Sequence, residues 1–138
     1  MTRTVRLATL CAAVALTVLS AQAQAQGNYP TRPITVIVPF AAGGPTDVIT
    51  RIVGENMSRT LGQQLVVENA VGAGGTTGIT RASQAAPDGY TIMMGHMGTH
   101  AAAPALYPRL RYDPTKDFEP IGIAASTPIL VRSEEHTS

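Results

Sequence analysis

The stretch "PITVIVPFAAGGPTDV", Pro33 to Val48, decides how the chain folds. Its first part, "ITVIV" (Ile34–Val38), is β-branched throughout and lacks polar alternation apart from Thr35. Such a run predicts a strand covered on both faces, as in a parallel sheet. From Pro45 to Leu61 the apolar residues Val48, Ile49, Ile52, Val53, Met57 and Leu61 recur every three or four positions. That spacing predicts an amphipathic helix, with Pro45 suited to its first position and Gly62 to its end. Between strand and helix lie two glycines with very little side chain, so bare backbone faces whatever lies above the turn.

The same alternation continues. "QLVVE" (Gln64–Glu68) reads as a second strand and "NAVGAGGTTG" (Asn69–Gly78) as a glycine-rich loop. A helix is expected over roughly residues 76–85, a turn at "APDGY" and a third strand over residues 90–95. A short helix around residues 101–106, a strand near 118–124 and another from Pro128 complete the reading. The order β-α-β-α-β-α-β gives an α/β class with a largely parallel sheet. Right-handed crossovers then bring the loops at 39–47, 69–76 and 95–100 to one edge, where open α/β sheets bind ligands.

Composition narrows the function. The chain has 138 residues, 44% hydrophobic and 14% charged, with a formal net charge of +1, no Trp and two Phe. That balance offers neither a basic surface nor an aromatic platform for nucleic acid. "MTRTVR", the apolar "LATLCAAVALTVL" and "AQAQAQ" read together as a secretory signal peptide over residues 1–25, cleaved near Ala23 or Ala25. The remainder then contains no cysteine, which excludes disulfides, a thiol nucleophile and cysteine-bound zinc.

The three loops carry the candidate chemistry. Loop one joins free glycine N–H groups to a helix N-terminus, a combination suited to a carboxylate or phosphate, or simply to a well-formed turn. Asp47 falls in the first helical turn, where it complements the helix dipole. Loop two fails the dinucleotide pattern, because Thr77 stands where glycine or alanine is needed, and it lacks the lysine of a phosphate-binding Walker loop. Its reading is a backbone and hydroxyl contact, or a flexible turn. In loop three His96 and His100 are four apart, but Gly98 lies between them and no third ligand is near, so no metal is expected. Thr99 and His100 read as neutral donors lining a cleft, or as a capped helix start. No G-x-S-x-G serine and no paired nucleophile and base are present, so no catalytic residue and no cofactor is assigned.

At this point the chain resembles a known family. "YPTRPITVIVPFAAGGPTDVITRIV", "LGQQLVVENAVGAGGTTG", "APDGYTIMMG" and "GTHAAAPALYPRLRYDPTKDFEPIG" follow the order and spacing of the tripartite tricarboxylate transporter substrate-binding proteins, the Bug or TctC family. The resemblance spans about Tyr29 to Val131. It implies a periplasmic-binding-protein-like fold of type II, whose two lobes close on a small ligand; residues 26–131 then supply only part of the first lobe. It further implies a monomeric, non-enzymatic periplasmic protein that is not membrane-embedded. Such a protein captures a di- or tricarboxylate, an amino acid or an aromatic acid and delivers it to a large and a small polytopic membrane subunit. A sensor that presents the acid to a signalling receptor is the alternative, and an exported α/β hydrolase a more distant one. By position, the resemblance implicates Phe40, Ala41, Gly43, Gly44, Thr46 and Asp47 in loop one. It adds Gly74, Gly75 and Thr76 in loop two and His96, Thr99 and His100 in loop three. Ala70 and Val71 depart from the basic residue and proline common there. The final "RSEEHTS", residues 132–138, has no counterpart in the family. It matches in-frame translation of AGATCGGAAGAGCACACGTCT, which resembles a common sequencing adapter, so a non-native tail is expected there.

Overall fold

The computed structural model describes residues 29–126; the expected signal peptide, the strand from Pro128 and the tail at 132–138 lie outside them. The chain divides into two units, residues 1–31 and 32–138, and the fold below is that of the second.

The β-branched run forms β1 (Ile34–Val38), and it is the central strand. Leu65–Asn69 forms β2 and Thr91–Met93 forms β3, giving the order β2-β1-β3. Both pairings are parallel, with Val36 opposite Val67 on one side and Ile92 on the other. Being hydrogen-bonded on both edges and covered on both faces, β1 supplies most of the core: Ile34, Val36, Ile37 and Val38 are all buried. Its apolar side chains are therefore removed from water almost completely, each contributing about 1.5–3 kcal/mol before entropy is counted.

Helix α1 (Pro45–Leu61) carries β1 over to β2. It opens with Pro45 and closes on Gly62, whose left-handed φ of 68° lets its N–H reach the Ser58 carbonyl at 3.0 Å. The Ser58 hydroxyl then accepts from the Leu65 N–H at 3.0 Å, fixing the start of β2. Helix α2 (Thr76–Ser83) carries β2 across β1 to β3, entered through a 3-10 turn at Ala73–Gly75. α1 packs on β1 and β2, and α2 on β1 and β3. The two crossovers run in opposite directions across the sheet, so right-handed connections place the helices on opposite faces. After β3 come a π-helical turn at Gly98–Ala102 and the single-turn helix α3 (Ala103–Leu106).

Two expectations need correction. The buried stripe of α1 is Asp47, Thr50 and Gly54, while Val48 and Ile52 lie exposed and Ile49, Val53 and Met57 are half-buried. Thr50 tolerates this because its hydroxyl donates to the Thr46 carbonyl at 2.6 Å, and Gly54 lets the helix approach Leu65. Residues 118–124 form no strand. Pro120 removes a donor, Ile121 and Ile123 are 78% and 90% exposed, and neither edge of the described sheet pairs with this segment.

Candidate functional site

Strand order sets the location. In a parallel sheet ordered 2-1-3, the direction of winding reverses between β1 and β3, and a crevice opens outside their carboxyl ends. Loop one leaves β1 there and loop three leaves β3. The Phe40 and His96 rings stack across the gap, with centroids 4.6 Å apart and planes 4° from parallel. Loop two closes the third side. Gly75 is buried with φ of 94°, and a Cβ there would sit 2.8 Å from Thr99 Cγ2 and 3.1 Å from Phe40 Cζ. Only glycine admits both that backbone angle and that approach. Phe40, Gly75, His96 and Thr99 thus come together from three separate segments.

Loop one is held by a buried carboxylate. Asp47 is 2% exposed. Its Oδ2 accepts from Arg51 Nε and from the Gly43 N–H, each at 2.9 Å, and its Oδ1 from Asn69 Nδ2 at 2.9 Å. The same Asn69 amide donates to the Phe40 carbonyl at 3.0 Å. The Arg51 bond, then the Gly43 and Asn69 bonds, hold the Asp47 carboxyl well below the usual carboxylate range, outweighing the opposing effect of burial. Asp47 therefore stays ionised and ties the start of α1 to the end of β2.

That geometry overturns the expectation that both glycines present free N–H groups. Gly43 donates to Asp47, and Gly44 donates to the Ala41 carbonyl at 3.3 Å. Helix α1 makes its first backbone bond from Val48 N–H to the Gly44 carbonyl, so among the described residues the N–H groups of Thr46 and Asp47 have no acceptor. Ala41 is exposed at the loop tip. In loop two, exposed Gly74 takes a left-handed φ of 64°, and the half-buried Thr76 turns its hydroxyl back onto the Ala73 carbonyl at 2.9 Å.

Loop three is held without charge. Thr99 is fully buried: its hydroxyl accepts from the His96 N–H at 3.2 Å and lies 3.0 Å from the His96 carbonyl and 2.9 Å from His100 Nδ1. The Tyr112 hydroxyl donates to the Thr99 carbonyl at 2.6 Å. Thr99 thus faces inward rather than lining a cleft. His100 lies against Phe118 and Tyr112, with centroids at 5.4 and 6.4 Å; burial, then the nearby His96, lowers its pKa and favours the neutral ring. His96 points outward. Its Nδ1 accepts from the Gly98 N–H at 2.7 Å, so the neutral ring keeps its proton on Nε2, where it is available as a donor.

Three residues in these networks escaped the sequence reading. Arg51 had a usable signal, the i, i+4 spacing from Asp47. Asn69 and Tyr112 reach their partners across 22 and 13 residues, and no local pattern announces such contacts. Among the described residues no cluster of three His, Cys, Asp or Glu side chains is placed to hold a metal.

A parallel sheet of order 2-1-3 with helices packed on it is part of an α/β fold of the periplasmic-binding-protein type. The chain belongs to the tripartite tricarboxylate transporter family receptor group, which matches residues 49–136. It is 47% identical over 115 residues to the UPF0065 protein in the TAR-I ttuE-ttuC' intergenic region of Agrobacterium vitis, covering 83% of this chain and 33% of that protein. The chain thus spans about a third of the length of this relative. It is also similar to MatC from Rhodopseudomonas palustris with bound malate (TM-score 0.66, 55% identity, 67% of this chain and 32% of that one). A further neighbour is the periplasmic binding protein BugD (TM-score 0.66, 53% identity, 68% and 31%).

Proposed function

We propose that this chain is the carboxylate-gripping part of a periplasmic solute-binding protein, one that captures a small organic acid for a tripartite-type secondary transporter and carries out no chemistry on it. The observation behind this reading is the convergence of loops one and three at the switch point of the sheet, where the Phe40 and His96 rings stack. The Thr46 and Asp47 N–H groups at the positive end of α1 and the His96 Nε2–H are the donors we assign to a ligand carboxylate. Asp47 acts on the ligand indirectly: its charge is engaged by Arg51, Gly43 and Asn69, so it positions the loop rather than repelling an anion. The malate found in MatC fits this class of ligand. On this reading Gly43, Gly44, Gly75 and Thr99 shape the crevice, whereas Phe40 and His96 meet the acid.

A ligand that binds only the folded state raises its melting temperature, by the equivalent of about 2.7 kcal/mol at a hundred times Kd. Thermal unfolding against a panel of di- and tricarboxylates, amino acids, aromatic acids and neutral sugars should show an upward shift for at least one acid and none for sugars. His96→Ala, an exposed position, should reduce the shift without lowering the unliganded Tm. Stabilisation by sugars alone would sink the reading.

A further inference from the structure

A cavity of about 290 Å³ lies beside the start of α2, lined in part by Thr77, Thr80, Tyr107, Arg109 and Arg111. Thr76 of loop two also lines it, whereas Phe40 and His96 do not. Its charge is unusual for this molecule. Every other arginine or lysine among the described residues sits in an ion pair: Arg32 with Asp88, Arg51 with Asp47, Arg59 with Glu55, Arg81 with Glu68, and Lys116 with Asp113. Arg109 and Arg111 alone have no carboxylate partner there, and both line the same cavity. The nearest acid in sequence, Asp113, is occupied by Lys116 and by the N–H and hydroxyl of Thr115. Thr77 and Thr80 line the same cavity, and their hydroxyls make no hydrogen bond among the described residues.

We propose that this cavity is a second oxyanion site, which takes a small multivalent oxyanion, a polycarboxylate or a phosphate, between the Arg109 and Arg111 guanidinium groups and the Thr77 and Thr80 hydroxyls. Two planar guanidinium forks recognise carboxylate and phosphate oxygens bidentately, which single ammonium groups cannot do. The volume sits at the lower end of the range for small-molecule pockets, about 300 Å³, and so suits a compact anion. Both arginines are exposed, so binding is screened by salt.

Isothermal titration of the full chain at low ionic strength, separately with citrate and with inorganic phosphate, tests the proposal. Arg109→Gln/Arg111→Gln should weaken binding at least tenfold. Arg59→Gln/Arg81→Gln removes the same charge from exposed helical positions and should change it less than threefold. Phosphate binding that depends on the first pair identifies a general oxyanion site; citrate binding alone with that dependence identifies a carboxylate site. His96→Ala should leave the component of binding that depends on Arg109 and Arg111 unchanged even if it abolishes the stabilisation proposed for the loop crevice, so the two readings fail separately. The proposal is overturned if neither anion binds, if both double variants weaken binding equally, or if His96→Ala removes that component.

Discussion

Loops one and three leave neighbouring strands at the same edge of the sheet, yet they are held by different physics. Loop one is fixed by an ionised carboxylate with three donors, one of them the Asn69 amide at the end of another strand. Loop three is fixed by a neutral cluster in which the Thr99 hydroxyl, the His96 backbone and the His100 ring share a few hydrogen bonds under Tyr112. A charged tie is insensitive to pH until strong acid, whereas a tie through imidazole responds near neutrality. The crevice between them therefore has one rigid wall and one titratable wall.

The comparison breaks most completely where the loops meet. Gly75→Val forces a Cβ against Thr99 and Phe40 and puts a β-branched residue at a φ of 94°. Overpacking and backbone strain together should cost about 3 kcal/mol or more, read as a large fall in the denaturant midpoint, with the Phe40–His96 wall displaced.

The next largest effect isolates loop one. Asp47→Asn leaves the Arg51 guanidinium without its carboxylate and turns an acceptor into a donor beside Asn69. It should lower Tm by several degrees at pH 7. Because the folded pKa of Asp47 is depressed, its contribution is full above the unfolded value of 3.8 and is lost as pH falls through the folded one. The wild-type protein should therefore lose stability steeply below about pH 4, and the variant less so; identical acid limbs in equilibrium unfolding would show that the carboxylate contributes nothing.

The smallest effect isolates loop three. His100 has a folded pKa below its ordinary 6.5, so the unfolded chain binds its proton more readily. Stability from the neutral ring is complete above pH 6.5 and declines as pH drops through the folded value. His100→Gln should flatten the stability profile between about pH 5 and 7, while the profile of Asp47→Asn should keep that slope. An imidazole titration followed by NMR should place His100 below 6.5.

The fold was legible wherever the information is local. β1 and α1 stand where the β-branched run, Pro45 and Gly62 put them, because strand propensity and helix ends are read from adjacent residues. The face that α1 buries was not legible. Periodicity finds an apolar stripe, but the sheet packs against Asp47, Thr50 and Gly54, because the loop carboxylate and the close approach to Leu65 win over Val48 and Ile52. Residues 118–124 carry a strand's composition, but a strand exists only with a partner to bond. In the candidate site, the convergence of the three loops followed from topology. Which N–H groups are engaged depended on Asn69, a residue that reads merely as the end of one strand.

The Asn69 amide gives both of its hydrogens away, one to the Phe40 carbonyl and one to Asp47 Oδ1, while its own oxygen lies 3.5 Å from the Arg51 guanidinium. Asparagine and aspartate are near-isosteres, and at most turn positions they are interchangeable. Here the swap would place one carboxylate oxygen against two acceptors, the Phe40 carbonyl and Asp47 Oδ1, and a second negative charge beside a buried one. One amide nitrogen thus sets the chemical identity this position requires, and its loss by deamidation would turn the tie that joins the end of β2 to loop one into a repulsion.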